Sequence, residues 1–181
     1  ALLAPLGPVS RTPLGSVLCT VCPGEPGAPH LMLEAHLDQI GMVVTRLEKG
    51  GFLRVANVGG LDCRLLPASP VTVHAREGRY PAVIASTPPH LCDGKEKPLK
   101  MEEILVDTGL SDEAAKEAFA PGDPITLDGA FTMMANDLML SPAQDDRVGC
   151  VAVIAAAKML GKEPPRCKVT VCLSSQEETS G

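Results

Sequence analysis

Apolar and polar positions alternate differently in three successive stretches of the chain. In the first, residues 14–22 are mostly Val, Leu and Cys and stop at Pro23, which predicts a strand. A Pro/Gly turn over 23–29 leads into Leu31-Met32-Leu33-Glu34-Ala35-His36. That run is largely apolar without clean alternation, the pattern of a strand covered on both faces. Residues 42–47 and 52–55 flank Glu48-Lys49-Gly50-Gly51 and predict a hairpin, the glycines supplying the positive φ that such a turn requires.

The texture changes after Gly59-Gly60. Residues 71–75 and 81–85 flank Glu77-Gly78 as a second hairpin, and 104–106 and 125–127 add short strands. Ser111 can cap a short helix, with Asp112 and Glu113 at its positive end. Short strands with close turns predict a small β-barrel-like module over 62–134. The third stretch begins near Asp145. Residues 147–160 predict a helix in which Val148, Val151, Ala155 and Met159 recur at helical spacing and Ile154 widens the core-facing stripe. Gly161 ends it, with Pro164-Pro165 beyond. Residues 168–173 predict a strand whose exit carries Gln176-Glu177-Glu178. The expected architecture is α/β over 1–61 and 135–181, interrupted by the β-rich module at 62–134.

Composition narrows the function. The chain has 181 residues, 45% apolar and 21% charged, which suits one core plus a small inserted domain. With no Trp, one Tyr and three Phe, the core must be built from Val, Leu, Ile, Ala and Met. A net charge of -6 without a basic tract argues against nucleic acid as a partner. The longest apolar run, 148–157, is too short to span a bilayer. No basic segment precedes the apolar N-terminus, so no secretory signal is expected. Seven Cys without framework spacing favour free thiols and a cytoplasmic location. Cys19-Thr20-Val21-Cys22 has the C-x-x-C spacing but lies in a strand-like run without a second Cys or His pair, so it reads as structural.

Three polar clusters fall just after strands or just before a helix, where α/β sheets usually build their sites. His36 and Asp38 stand two apart, so an imidazole ligand with a supporting carboxylate and a simple strand-end hydrogen bond are both open. Asp145-Asp146-Arg147 suits a helix cap as well as a carboxylate bridging two cations. Glu177-Glu178 suits a solvated loop, or a pair in which one carboxylate binds a metal and its neighbour serves as general base.

Taken in order, these residues resemble the M42 family of metallo-aminopeptidases. The resemblance is carried by Glu34-Ala35-His36-Leu37-Asp38-Gln39-Ile40-Gly41, Thr87-Pro88-Pro89-His90-Leu91, Val106-Asp107-Thr108-Gly109, Pro121-Gly122-Asp123, Gln144-Asp145-Asp146-Arg147-Val148-Gly149-Cys150 and Ser175-Gln176-Glu177-Glu178. It covers roughly residues 14–181. It implies an exopeptidase-type mixed sheet with flanking helices, interrupted by a β-barrel-like dimerisation domain. It also implies two divalent metal ions, zinc or cobalt, a bridging water, and peptides trimmed from the N-terminus. By position, His36 would bind one metal, Asp145 would bridge both, Glu178 would bind the second, Glu177 would be the catalytic base and acid, and Asp38 would support His36. Members assemble into dimers and larger tetrahedral, dodecameric particles. The family pattern needs a further Asp and a further His downstream, so this chain is expected to be cut at both ends and to leave each metal one protein ligand short. Two other readings stay open: an inactive assembly module of the same family and, from the paired carboxylates, a glycosidase.

Overall fold

The computed structural model describes residues 2–86, 91 and 99–180. Residues 87–90 of the Thr87-Pro88-Pro89-His90-Leu91 motif therefore lie outside the described residues. In chain order come β1 (Val9–Arg11), β2 (Val17–Cys22), β3 (His30–His36), β4 (Gly41–Leu47), β5 (Phe52–Val58), β6 (Pro70–Ala75), β7 (Gly78–Ile84), β8 (Leu105–Asp107), α1 (Asp112–Ala118), β9 (Pro124–Leu127), β10 (Thr132–Met133), β11 (Met139–Leu140), α2 (Gln144–Leu160), β12 (Lys168–Ser174) and α3 (Glu177–Ser180). They form two compact units, Ala1–Gln39 with Ala143–Gly181, and Ile40–Pro142.

The first unit is a sheet of order β1-β2-β12-β3, antiparallel except between β12 and β3, with α2 packed on it. Parallel neighbours need a crossover. Here α2 lies in the connection between β3 and β12, and the whole second unit is spliced in ahead of it. β12 is buried on both faces, Val169 and Val171 completely, as its unbroken apolar run requires.

The face of α2 that meets the core differs from the one expected except at Ile154, which packs on it. Val148, Val151 and Met159 are 48%, 67% and 71% exposed, whereas Cys150, Val153, Ile154 and Ala157 pack with Leu3, Cys19, Ala35, Val171 and Leu173. The helix is apolar around most of its circumference, so spacing alone offered two stripes. The stripe of smaller residues is the one that faces the sheet. Cys19 and Cys22 are buried free thiols three positions apart in β2, which fits their structural reading.

The second unit is a closed barrel of order β4-β5-β8-β7-β6-β9. Its core includes Met42, Val44, Leu53, Val55, Val71, Val73, Ile84, Val106 and Ile125. It therefore begins earlier than the residue 62 assigned from sequence texture. The β4–β5 hairpin pairs with β9 on one side and β8 on the other, which closure of the sheet demands and a local pattern cannot reveal. Asp112, in the first turn of α1, accepts the Gly50 and Gly51 N–H groups and so ties the β4–β5 turn to that helix. A Cβ on Gly51 would press on the Leu110 carbonyl, and its φ is +75°, so glycine is required there. The β10–β11 hairpin forms its own two-stranded sheet and exposes Phe131, Met133, Leu138, Met139 and Leu140. Among the described residues no helix is long and apolar enough to cross a membrane.

Candidate metal centre

The site is assembled within the first unit, at the carboxyl ends of its two parallel strands. Ser174 of β12 lies opposite His36 of β3, and the Leu37 N–H donates to the Ser174 carbonyl at 2.8 Å. The chain thus leaves both strands on the same side of the sheet, where α/β folds place their sites.

His36 is only 8% exposed. Its Nδ1 lies 3.2 Å from the Asp38 carbonyl oxygen and 3.7 Å from Asp38 Oδ1. Its Nε2 lies 3.0 Å from Asp145 Oδ1 and 3.9 Å from Glu177 Oε2. One ring nitrogen is therefore held from behind while the other faces carboxylates. A histidine that binds a metal is commonly held in this way.

Asp145 reaches His36 because the regular helix starts only after it. Asp145 (φ -83°, ψ 111°) and Asp146 (φ -117°, ψ 40°) are non-helical, and the peptide between them is cis. Regular helix therefore runs from Arg147, the start expected from sequence. Asp146 provides the cap: its Oδ1 accepts the Gly149 N–H at 2.9 Å. A Cβ at Gly149 would collide with that carboxylate. With Asp146 engaged in capping, the Asp145 side chain stands 88% exposed.

Glu177 and Glu178 open α3, directly after Gln176 in the left-handed region at φ 66°. The Glu178 N–H donates to Asp38 Oδ2 at 3.1 Å. His36, Glu177 and Glu178 each bring one donor atom to within 4.8 Å of the others. Asp145 meets His36 but stands outside that threesome.

The electrostatics are unbalanced. In the ion pairs of the described residues, Asp145 and Glu177 meet only His36. Burial alone would lower the His36 pKa, but the hydrogen bonds to Asp145 and the Asp38 carbonyl, with the charges of Asp38 and Glu177, leave it raised. Burial and the neighbouring Glu177, with further repulsion from Asp145 and Asp38, raise the Glu178 pKa against the opposing pull of His36. Asp38 Oδ1 is buried without a hydrogen-bond partner. One imidazole among clustered carboxylates, with negative charge in excess, is a donor set that fits a divalent cation.

All five residues singled out from the sequence, His36, Asp38, Asp145, Glu177 and Glu178, meet here. Asp38 lies just beyond β3, which ends at His36. The nearer partner of the imidazole is the Asp38 carbonyl, and the carboxylate turns one oxygen to Glu178. Three neighbours were not foreseen. The Cys150 thiol donates to the His36 carbonyl at 3.1 Å, Ser174 Oγ donates to Glu34 Oε1, and Ser175 bonds to the loop before β2. Each contact joins residues more than 110 positions apart, so no local pattern announces it.

The imidazole and carboxylates thus gather on the carboxyl side of the parallel strands of the first unit, and a barrel is spliced into its sequence. The family model described as M42 glutamyl aminopeptidase matches residues 15–180, and the chain belongs to that family. It is 33% identical to the lysyl aminopeptidase of Pyrococcus furiosus over 156 residues, 83% of this chain and 44% of that protein. It also superposes on an aminopeptidase from the archaeon Desulfurococcus kamchatkensis with a TM-score of 0.88 and 31% identity, over 99% of this chain and 49% of that one. For the Pyrococcus horikoshii TET1 peptidase, which can assemble into a tetrahedron or a large octahedral shell, the TM-score is 0.87 at 30% identity, over 99% and 54% of the respective chains. The chain thus spans about half the length of the relatives it matches.

Proposed function

We propose that this chain carries residues of a metal-dependent aminopeptidase centre that removes N-terminal residues from peptides. The observation that carries the reading is the convergence of His36, Asp145, Glu177 and Glu178 at one end of the sheet. His36, Asp145 and Glu178 would hold two divalent cations, zinc or cobalt. When bound, such ions polarise the scissile carbonyl and acidify water.

The remaining chemistry belongs to side chains. Glu177, more than half exposed and 3.9 Å from the imidazole, takes a proton on its carboxylate from the attacking water and returns it to the leaving amine. Asp38 holds the imidazole through its carbonyl and the Glu178 amide through Oδ2. The second unit, which contains the barrel and the β10–β11 hairpin, serves self-association into dimers and larger particles. The assemblies of the Pyrococcus horikoshii relative and the exposed apolar side chains of the β10–β11 hairpin support that role. The described cysteines, all free, support a reducing cytoplasmic setting.

Hydrolysis of aminoacyl-p-nitroanilides, abolished by a chelator and restored by zinc or cobalt, tests the activity. Glu177→Gln should lower kcat by about 10²–10⁴-fold while cobalt binding persists. Unchanged turnover in that variant would remove Glu177 from the mechanism. Absence of tight cobalt binding together with absence of turnover would favour an assembly module instead, and tight binding of two equivalents would rule that module out.

A further inference from the structure

The backbone pairing of β12 with β2 runs out at Leu173, opposite Val17. Two residues later Ser175 takes over through side chains. Its N–H donates to Ser16 Oγ at 3.2 Å, and its hydroxyl donates to the Leu14 carbonyl at 2.7 Å. The two hydroxyl oxygens lie 3.3 Å apart. The turn that receives Ser175 is itself closed. Thr12 N–H donates to the Ser16 carbonyl at 2.9 Å, Gly15 N–H to the Thr12 carbonyl at 3.0 Å, and Ser16 N–H to Thr12 Oγ1 at 3.1 Å.

This clasp sits at the root of the segment that carries both glutamates. Ser175 precedes Gln176, whose left-handed φ of 66° sets the direction of the exit. On the other side Asp38 Oδ2 accepts the Glu178 N–H. The segment is therefore held from two sides, by Asp38 after β3 and by the loop before β2. Strand pairing asks for no hydroxyl at position 16 or 175, and alanine at either would satisfy the ladder equally well. The hydroxyls matter only for where the exit points.

We propose that Ser175, together with Ser16, is a positioning residue that fixes the 175–178 turn so that Glu177 and Glu178 stand at His36. This rests on His36, Glu177 and Glu178 being the working groups of the proposed centre. Without the clasp the turn loses its anchor to the loop before β2, and the 3.9 Å separation of Glu177 from the imidazole becomes an average over several positions.

The full 181-residue chain is compared with Ser175→Ala, Ser175→Thr and Ser16→Ala. Amide hydrogen exchange of the metal-free proteins reads the turn directly, and calorimetric titration with cobalt alone reads the site. Ser175→Ala should speed exchange at the Glu178 amide roughly tenfold and weaken cobalt binding by about the same factor, as supporting contacts around metal ligands commonly do. Exchange in β6 and β9 should not change. Ser175→Thr, which keeps a hydroxyl, should stay near the parent in both readouts, and Ser16→Ala should follow Ser175→Ala. The proposal is overturned if Glu178 exchange is unaltered in Ser175→Ala, or if exchange rises equally in the barrel strands. A parent chain that takes up no cobalt would count against the metal reading, while the exchange data still decide the clasp.

Discussion

At the scale of the residue, Glu178 shows a conflict between site and stability. Its pKa is raised by burial and by the charge of Glu177, with further repulsion from Asp145 and Asp38, so the folded state disfavours its ionised form. A group whose folded pKa lies above its unfolded value costs stability once pH rises through the folded pKa. Below the unfolded value, 4.5, both states bind the proton and the cost vanishes. Glu178→Gln removes the charge but keeps the shape. In the metal-free chain it should therefore raise the melting temperature at pH 7 and leave it nearly unchanged at pH 4, while cobalt binding is lost. Thermal melts of both proteins at the two pH values check this. A variant that melts lower at pH 7 would mean the carboxylate is stabilised by its surroundings. Asp38 carries the same tension in another form: its buried Oδ1 lacks a hydrogen-bond partner, a cost tolerated where the other oxygen orders the turn of the proposed centre.

Among the elements, α2 separates what the sequence could and could not reveal. Its start at Arg147 was legible, because Asp145-Asp146 supplies a cap just ahead of an unbroken apolar run. Its buried face was not. Val148, Val151, Ala155 and Met159 form as regular a stripe as Cys150, Val153, Ile154 and Ala157, and only the sheet decides between them. The two faces should answer differently to substitution. Ala157, completely buried, has no room for added methylenes, so Ala157→Leu should cost about 1–3 kcal/mol. Val151→Ser, on the exposed side, should change stability by less than about 0.5 kcal/mol. Urea unfolding of both variants makes the comparison, and equal losses would mean the outer stripe is covered as well. The same limit applies elsewhere. β3 and β12 were legible as apolar runs, although β3 is an edge strand with Leu31 and Met32 exposed rather than a strand covered on both faces, and the β4–β5 and β6–β7 hairpins were legible from their glycine turns. The two-residue strands β10 and β11 were too short to leave a period. Membership of β4 and β5 in the barrel depends on ladders to β8 and β9 that no window of sequence contains. The five residues of the proposed centre could be singled out because motif order is itself a property of the sequence. The Ser16–Ser175 clasp and the Cys150 thiol depend on contacts between distant segments and left no such trace.

For the whole molecule, the two units have separate cores with no shared member: one around Cys19, Ala35, Cys150, Ala157, Val171 and Leu173, the other inside the barrel. Each is large enough to unfold as a unit of its own, and all five residues of the proposed centre belong to the first. A ligand that binds only one folded unit stabilises only that unit. At a free concentration 100-fold above its dissociation constant the gain is about 2.7 kcal/mol. For a unit of this size that corresponds to a shift of about 10–20 °C. Scanning calorimetry should therefore show two transitions, and saturating cobalt should raise only one of them. Leu53→Ala, which empties a fully buried position in the barrel core, should lower the other by an amount reflecting about 2–5 kcal/mol. The assignment is internally checked, because the transition that cobalt moves must be the one that Leu53→Ala leaves in place. A single transition displaced by both perturbations would instead make the chain one cooperative body. The barrel would then contribute to the stability of the metal centre as well as to association.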